Sequence, residues 1–83
     1  MYTVYIIYSK SLDRFYVGFT GDSIENRIRK HLANHKGFTN KSSDWQLVYA
    51  EEYSLKKEAI SREREIKKWK SRAMIEKLLR NPD

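Results

Sequence analysis

The sequence predicts a small α+β fold in which three β-strands and three helices follow one another in the order ββαβαα. Strings of β-branched and aromatic residues recur at three places, and apolar residues at helical spacing fill the segments that follow the second and the third. A chain of 83 residues has room for one domain, over residues 1–83, built around a single core.

The first two strands form a predicted hairpin. Residues 2–8 are β-branched or aromatic almost throughout, and residues 15–19 repeat that character after a polar interruption. A third strand is predicted at residues 45–53, because large apolar residues alternate there with a partial period of two. These residues are Trp45, Leu47 and Tyr49.

The first helix is predicted over residues 23–35. Asp22 and Ser23 supply N-cap chemistry, and Glu25, three residues after Asp22, is the partner expected in a capping box. The apolar stripe of this helix consists of Ile24, Ile28 and Leu32.

Two further helices follow the third strand. Ser54 is the predicted cap of the longer one and Ser71 the predicted cap of a short last helix. The apolar stripe of the longer helix consists of Leu55, Ala59, Ile66 and Trp69, and that of the last helix of Met74, Ile75, Leu78 and Leu79.

The charge of the chain favours a polyanionic partner. Lys and Arg number 17 against 11 Asp and Glu, which gives a formal net charge of +6 and a pI near 9.7. Such a surplus can serve solubility alone, but its uneven placement favours nucleic acid, since residues 56–80 hold ten basic and four acidic side chains. A membrane surface is disfavoured because this stretch lacks a broad face of large apolar residues.

Composition also limits the chemistry. The chain has no cysteine, so a metal must be held by oxygen or imidazole ligands. The first residues are typical of a strand and not of a signal peptide, and no segment is apolar enough to span a membrane. A cytoplasmic location is the default expectation.

Several side chains are candidates for phosphodiester chemistry. Arg27 and His31 are four residues apart, so one helix turn projects a fixed cation and a titratable imidazole from the same face. A guanidinium suits the charge that gathers on phosphate oxygens, although a surface arginine is the simpler interpretation. Tyr5 and Tyr16 on adjoining strands offer phenols that position water or hold a phosphate oxygen, whereas strand tyrosines more often serve packing.

Glu63 is the most informative acidic residue. It falls between the helical directions of Ile60 and Ile66, on the side of the apolar stripe. Burial of an unpaired carboxylate is costly, so Glu63 should meet a bound metal or a cation such as Arg62 or Lys67. Metal ligation and a boundary salt bridge both remain open from the pattern alone.

Other motifs are weaker. His31 and His35 have a spacing compatible with zinc, but solvated helix histidines explain them better, and the glycines do not form a phosphate-binding loop. Basic residues and one aromatic residue form a predicted nucleic-acid-binding set. It consists of Arg29, Lys30, Lys36, Phe38, Lys41, Lys67, Lys68 and Lys70.

Taken together, these residues resemble the GIY-YIG nuclease superfamily. Thr3-Val4-Tyr5 matches the first motif and Tyr16-Val17-Gly18 the second, with eleven residues from tyrosine to tyrosine. The likeness extends over nearly the whole chain. Short bacterial YhbQ-like proteins are similar, and the helix of Glu63 resembles the matching helix in the N-terminal catalytic domain of the excision-repair nuclease UvrC.

The resemblance implies a three-stranded antiparallel sheet flanked by helices and a divalent-metal-dependent endonuclease that hydrolyses DNA, in repair or recombination. It implies Mg²⁺ or Mn²⁺ held by Glu63 and several waters. The catalytic residues that it implies are Tyr5, Tyr16, Arg27, His31 and Glu63. Thr3 stands where the first motif has its glycine, and Phe19 where the excision-repair enzymes carry a lysine.

Two alternatives remain at this stage. The chain is also compatible with a nucleic-acid-binding module whose catalytic site is silent, and with a protein interaction domain. DNA is expected before RNA, and a partner protein or a dimer is expected to supply targeting, because no additional domain is present to choose a substrate.

Overall fold

The computed structural model describes residues 1–33 and 44–80, and the side chains of all of these except residues 30–33. It contains the six predicted elements in the predicted order. They are β1 (Tyr2–Ser9), β2 (Arg14–Thr20), α1 (Ile24–Ala33), β3 (Trp45–Tyr53), α2 (Lys56–Trp69) and α3 (Arg72–Arg80). The predicted α+β class and the ββαβαα order are confirmed.

The three strands form one antiparallel sheet in the order β2-β1-β3. β1 lies in the centre because it carries the most apolar sequence, and all residues from Thr3 to Ile7 are buried. The hairpin register pairs Tyr5 with Gly18. The antiparallel arrangement that the family resemblance implied is therefore present.

Helices cover both faces of this sheet. Successive strand residues point to opposite sides, so Val4 and Ile6 pack in one cluster with residues of α2 and α3. Tyr5 and Ile7 pack in a second cluster with α1 residues, among them Ile28. The sheet is thus the middle layer, with α1 on one side and the α2 and α3 pair on the other.

A β-bulge in β3 alters the alternation predicted for this strand. The register between β3 and β1 shifts between Ile6 and Ile7, where Val48 is the extra residue. The side-chain period of two would put Trp45 and Tyr49 on the same face. The bulge instead places Trp45 in the cluster on the α1 face and Tyr49 against the cluster on the α2 face.

The start of α1 is defined by Ser23. Its Oγ accepts a hydrogen bond from the Asn26 amide at 3.2 Å, and its carbonyl accepts from the Arg27 amide at 3.1 Å. Asp22 instead accepts from the Ser23 amide at 2.7 Å. The helix is described to Ala33, and positions 34 and 35 of the predicted helix lie outside the described residues.

The caps of the last two helices differ in their agreement with the sequence. Ser71 caps α3 as predicted, since its Oγ accepts from the Met74 amide at 3.4 Å. The predicted cap at Ser54 is wrong: Leu55 is the N-cap of α2, without a side-chain hydrogen bond. Leu55 precedes the first helical turn in an extended conformation, so it is 50% exposed and does not join the apolar stripe. Met74 is also exposed, whereas Leu78 is buried.

Among the described residues, no helix has the length and apolar content needed to cross a membrane.

Candidate active site

The site is built around Tyr5, in the middle of the central strand. The side chain of Tyr5 is fully buried on the face that α1 covers. Its hydroxyl accepts a hydrogen bond from Nε of Arg27 at 3.0 Å. The central strand and the first helix are joined at this point by two side chains that the sequence analysis selected.

Gly18 makes room for the Tyr5 ring. It is the direct partner of Tyr5 across the hairpin, and a Cβ atom at this position would lie 2.6 Å from the Tyr5 hydroxyl oxygen and 2.8 Å from Cζ. Any larger residue would force the ring or the strand to move. The glycine of the second motif therefore fixes where the Tyr5 hydroxyl lies.

Tyr16 and Lys67 border the site at the outer strand. Tyr16 lies two residues before Gly18 on the same face of β2, and it packs against the cluster that contains Tyr5. Nζ of Lys67 in α2 lies 5.8 Å from the centre of the Tyr16 ring, within the range of a cation–π interaction. A residue of α2 thus approaches a tyrosine of the hairpin.

Glu63 has a cation as its neighbour. The side chain of Glu63 is only 16% exposed, and its Oε2 atom lies 3.3 Å from Nζ of Lys67, one turn further along α2. Burial is the main cause of the raised pKa of Tyr5, and the charge of Glu63 adds a smaller contribution in the same direction.

The pKa values of Tyr5 and Arg27 are both raised. Burial raises the pKa of Tyr5 above its ordinary value and outweighs the opposing hydrogen bond from Arg27. The hydrogen bond to Tyr5 raises the pKa of Arg27, with burial opposing it. At neutral pH the site therefore holds a protonated phenol beside a permanent cation.

The comparison with protein families decides the assignment. The family model described as GIY-YIG catalytic domain matches residues 1–77. The chain belongs to the GIY-YIG family. Comparisons with curated proteins and with solved structures gave no significant match. A nuclease-type function, and endonuclease activity in general, follow from membership of this family, whose enzymes act on nucleic acid and generally depend on a divalent metal.

The carboxylate of Glu63 is a ligand type that suits a magnesium-type ion. Glu63 offers one carboxylate, and Mg²⁺ is commonly bound by one or two carboxylates while it keeps several waters. Within residues 1–33 and 44–80, no group of three or more acidic, histidine or cysteine side chains could hold a metal ion. The fit is therefore to a hydrated ion on one carboxylate and not to a closed cage of protein ligands.

Some of the predicted residues are not described. His31 lies within α1, but its side chain and that of Lys30 are outside the described side chains. His35, Lys36, Phe38 and Lys41 lie outside the described residues. The zinc alternative at His31 and His35 and the basic loop stay predictions.

The described basic residues of the predicted binding set do not share one surface. Arg29 is exposed on α1, where Nη1 donates to Oδ1 of Asn26 at 3.4 Å. Lys67 and Lys70 line a groove at the junction of α2 and α3, whereas Lys68 lines a separate groove together with Arg64. Of the described residues in this set, Lys67 and Lys70 line the same groove as Tyr16.

Sequence reasoning missed a polar cluster on the opposite side of the sheet. Arg62 donates to Glu51 through Nε at 3.0 Å and Nη2 at 3.1 Å, and the hydroxyls of Tyr49 and Tyr53 donate to the same carboxylate. Arg62 therefore does not neutralise Glu63. The available signal was the Tyr-x-Glu-x-Tyr pattern of β3, which places three polar groups on one face of a strand.

Proposed function

We propose that this GIY-YIG protein is a divalent-metal-dependent endonuclease that hydrolyses phosphodiester bonds in DNA, over one domain of residues 1–83. The single observation that carries the proposal is the hydrogen bond between Arg27 and Tyr5. It joins a permanent cation on α1 to a protonated phenol on β1, which are two of the groups that phosphoryl transfer uses, and Glu63 on α2 is the proposed third group.

Arg27 is proposed to stabilise charge on the phosphate. Its Nε is committed to Tyr5, and no described residue accepts from its two terminal Nη groups. Held in this way, the guanidinium presents paired donors to the oxygens of a phosphodiester. Because its pKa is raised, it keeps its charge at every working pH.

Tyr5 is proposed to orient and not to deprotonate. A phenol whose pKa is raised by burial is a poor base at neutral pH. Tyr5 therefore positions Arg27 through the hydrogen bond that its hydroxyl accepts. Tyr16 completes the pocket, and His31 is the proposed proton acceptor.

Glu63 is proposed to hold Mg²⁺ or Mn²⁺. When bound, the ion supplies Lewis-acid polarisation of the scissile phosphate. The protein contributes a carboxylate that is mostly shielded from water and already directed by α2. Lys67 acts as its counter-ion in the absence of metal.

The test is cleavage of labelled branched, single-stranded and duplex DNA with Mg²⁺ or Mn²⁺. Glu63→Gln and Arg27→Lys are expected to lower the rate by about 100-fold or more, since each removes a group that acts on transition-state charge. Glu58→Gln, an exposed acid in the first turn of α2, and Arg64→Lys, an exposed arginine of the same helix, are the matched controls and should retain activity. Equal cutting by the wild type and Glu63→Gln would show that this site does not perform the cleavage and would refute the proposal.

One observation favours the alternative of a silent nucleic-acid-binding module. The Glu63 carboxylate already has a cation at 3.3 Å, and that cation competes with a metal. If the site is active, Lys67→Gln should lower the metal concentration that gives half-maximal cutting, because the competing charge is gone. If no variant cuts at any metal concentration while DNA binding persists, the binding module is the correct function.

A further inference from the structure

A second feature lies next to the candidate active site. A groove of about 720 Å³ runs along the outer strand β2 to the junction of α2 and α3, and Tyr16 and Lys67 line both the groove and the site. The floor of this junction groove is apolar, with Val17, Ile66 and Ile75 among its residues. Its size is that of a pocket for a small organic group.

The rim of the junction groove is basic. Its charged residues are Arg14, Lys67, Lys70 and Arg72, against the single acid Asp13. Asp13 is paired with Arg72 at 2.7 Å, and Lys67 with Glu63 at 3.3 Å. Among the described residues, Arg14 and Lys70 form no ion pair, so they are available to an anionic ligand.

Arg72 is held in a way that suits stacking and not phosphate binding. Its Nε donates to Glu76 at 3.0 Å, its Nη2 to the Asp13 carboxylate at 2.7 Å and its Nη1 to the Asp13 carbonyl at 3.2 Å. One face of the guanidinium lies 5.5 Å from the Phe15 ring centre, yet the side chain is 47% exposed. An immobilised guanidinium plane with its donors engaged is a platform on which a nucleobase stacks.

Lys70 occupies a backbone position that glycine would fill with less strain. It is the C-cap of α2 with φ 46° and ψ 31°, in the left-handed region. Helices commonly end with glycine or asparagine in this conformation. The side chain at this position lines the junction groove and adds a positive charge to it.

We propose that the junction groove holds one unpaired nucleotide of the DNA strand beside the scissile phosphate, with the base on the plane of Arg72 and a phosphate on Arg14 and Lys70. The inference rests on the proposed function and specifies its substrate class: DNA with an unpaired segment at the cut. A base inside a duplex has both faces covered by its neighbours, so only an unstacked base can lie against this surface.

The experiment measures binding by fluorescence anisotropy, in EDTA, to labelled single-stranded DNA and to a duplex of the same length. The wild type should bind the single strand more tightly. Arg72→Lys keeps the charge and loses the plane, so it should weaken single-strand binding by about five-fold or more and leave duplex binding nearly unchanged. Lys70→Gly should also weaken single-strand binding, with an equal or higher melting temperature, because the left-handed strain is relieved.

Lys57→Gln is the matched control, since it removes one charge from α2 outside the junction groove. It should affect the two DNA forms to a similar, small extent. Equal binding of both forms by the wild type, or equal losses on both forms in Arg72→Lys, would overturn the inference. A loss of affinity in Lys70→Gly together with a lower melting temperature would also overturn it, because Lys70 would then be structural.

Failure of this inference can be told apart from failure of the nuclease proposal because binding is measured without metal. Selective single-strand binding by a protein that never cuts supports the groove and refutes the nuclease. Equal cutting of single strands and duplexes refutes the groove alone.

Discussion

Gly18 and Tyr5 show how one missing side chain sets the geometry of a site. The strand register places Gly18 directly across from Tyr5, and the close approach of the phenol leaves no volume for a Cβ atom. The Tyr5 hydroxyl in turn accepts from Arg27 at 3.0 Å. The glycine therefore acts on Arg27 through Tyr5.

We expect Gly18→Ala to lower the cleavage rate strongly and to lower the free energy of unfolding only moderately. The methyl group must displace the Tyr5 hydroxyl and break its alignment with Arg27, which should lower the rate by about 100-fold, a cost typical of a displacement of about 1 Å. Overpacking should lower the free energy of unfolding by about 1–3 kcal/mol. Cleavage rates and urea denaturation would measure the two effects.

Gly21→Ala is the control for this prediction. A Cβ atom there would lie 3.1 Å from Cε1 of Tyr2, a tight contact away from the Tyr5 and Arg27 pair. Its cleavage rate should stay near that of the wild type. If Gly18→Ala and Gly21→Ala lose activity equally, Gly18 does not act through Tyr5.

At the scale of the elements, β3 and α2 are joined by a polar cluster around Glu51. Burial raises the pKa of Glu51, but the hydrogen bonds from Arg62, Tyr49 and Tyr53 outweigh it and hold the pKa below its ordinary value of 4.5. Burial and the bond to Glu51 raise the pKa of each of the two tyrosines to about 12. Arg62 also pairs with Glu65 at 3.1 Å and lies over the Trp69 ring. The cluster fixes the helix that carries Glu63.

We expect Glu51→Gln to lower the free energy of unfolding by about 2 kcal/mol at pH 7, the loss typical of hydrogen bonds to a charged group. Because folding depresses the pKa of Glu51, the stabilisation is present above pH 4.5 and is lost as the pH falls through the folded-state value. The difference between wild type and variant should therefore shrink below pH 4.5 in denaturant titrations.

The matched variant is Glu52→Gln, which removes an exposed carboxylate from the neighbouring position of the same strand. Its stability should differ little from that of the wild type at any pH. A Glu51→Gln deficit that is unchanged from neutral to strongly acidic pH would show that the carboxylate charge is not what stabilises the cluster.

At the scale of the whole molecule, a net charge of +6 is divided between different surfaces. Lys67 and Lys70 line the junction groove and Lys68 a separate groove on α2. Arg62 and Arg72 are engaged by carboxylates within the fold. Only some of the basic residues are therefore available to a DNA backbone.

We expect the affinity for single-stranded DNA to fall as the salt concentration increases. The magnitude of the slope of log K against log salt should decrease by about 0.7 for each phosphate contact that is lost. Lys70→Gly should reduce this slope by roughly that amount, because it removes a phosphate contact. Arg72→Lys should weaken binding without changing the slope, since the donors of Arg72 are engaged by Asp13 and Glu76. Equal slopes for all three proteins would contradict the assignment of a phosphate to Lys70.

The order of strands and helices and the position of Glu63 beside the apolar stripe of its helix could be predicted from the sequence, because both depend on local periodicity. The basic charge and the two tyrosine motifs follow directly from the residues present. Which side chains meet depends on tertiary packing. Arg27 bonds to Tyr5 across 22 positions and Arg72 to Asp13 across 59.

Tertiary packing also determined which cation pairs with Glu63 and on which face of the sheet the side chains of β3 lie. Sequence spacing left Arg62 and Lys67 equal as partners of Glu63, and Arg62 is instead drawn to Glu51 on β3. The bulge at Val48 moved Trp45 and Tyr49 to opposite faces of the sheet. Such outcomes depend on how whole elements pack against one another, and the spacing of residues along the chain does not specify that packing.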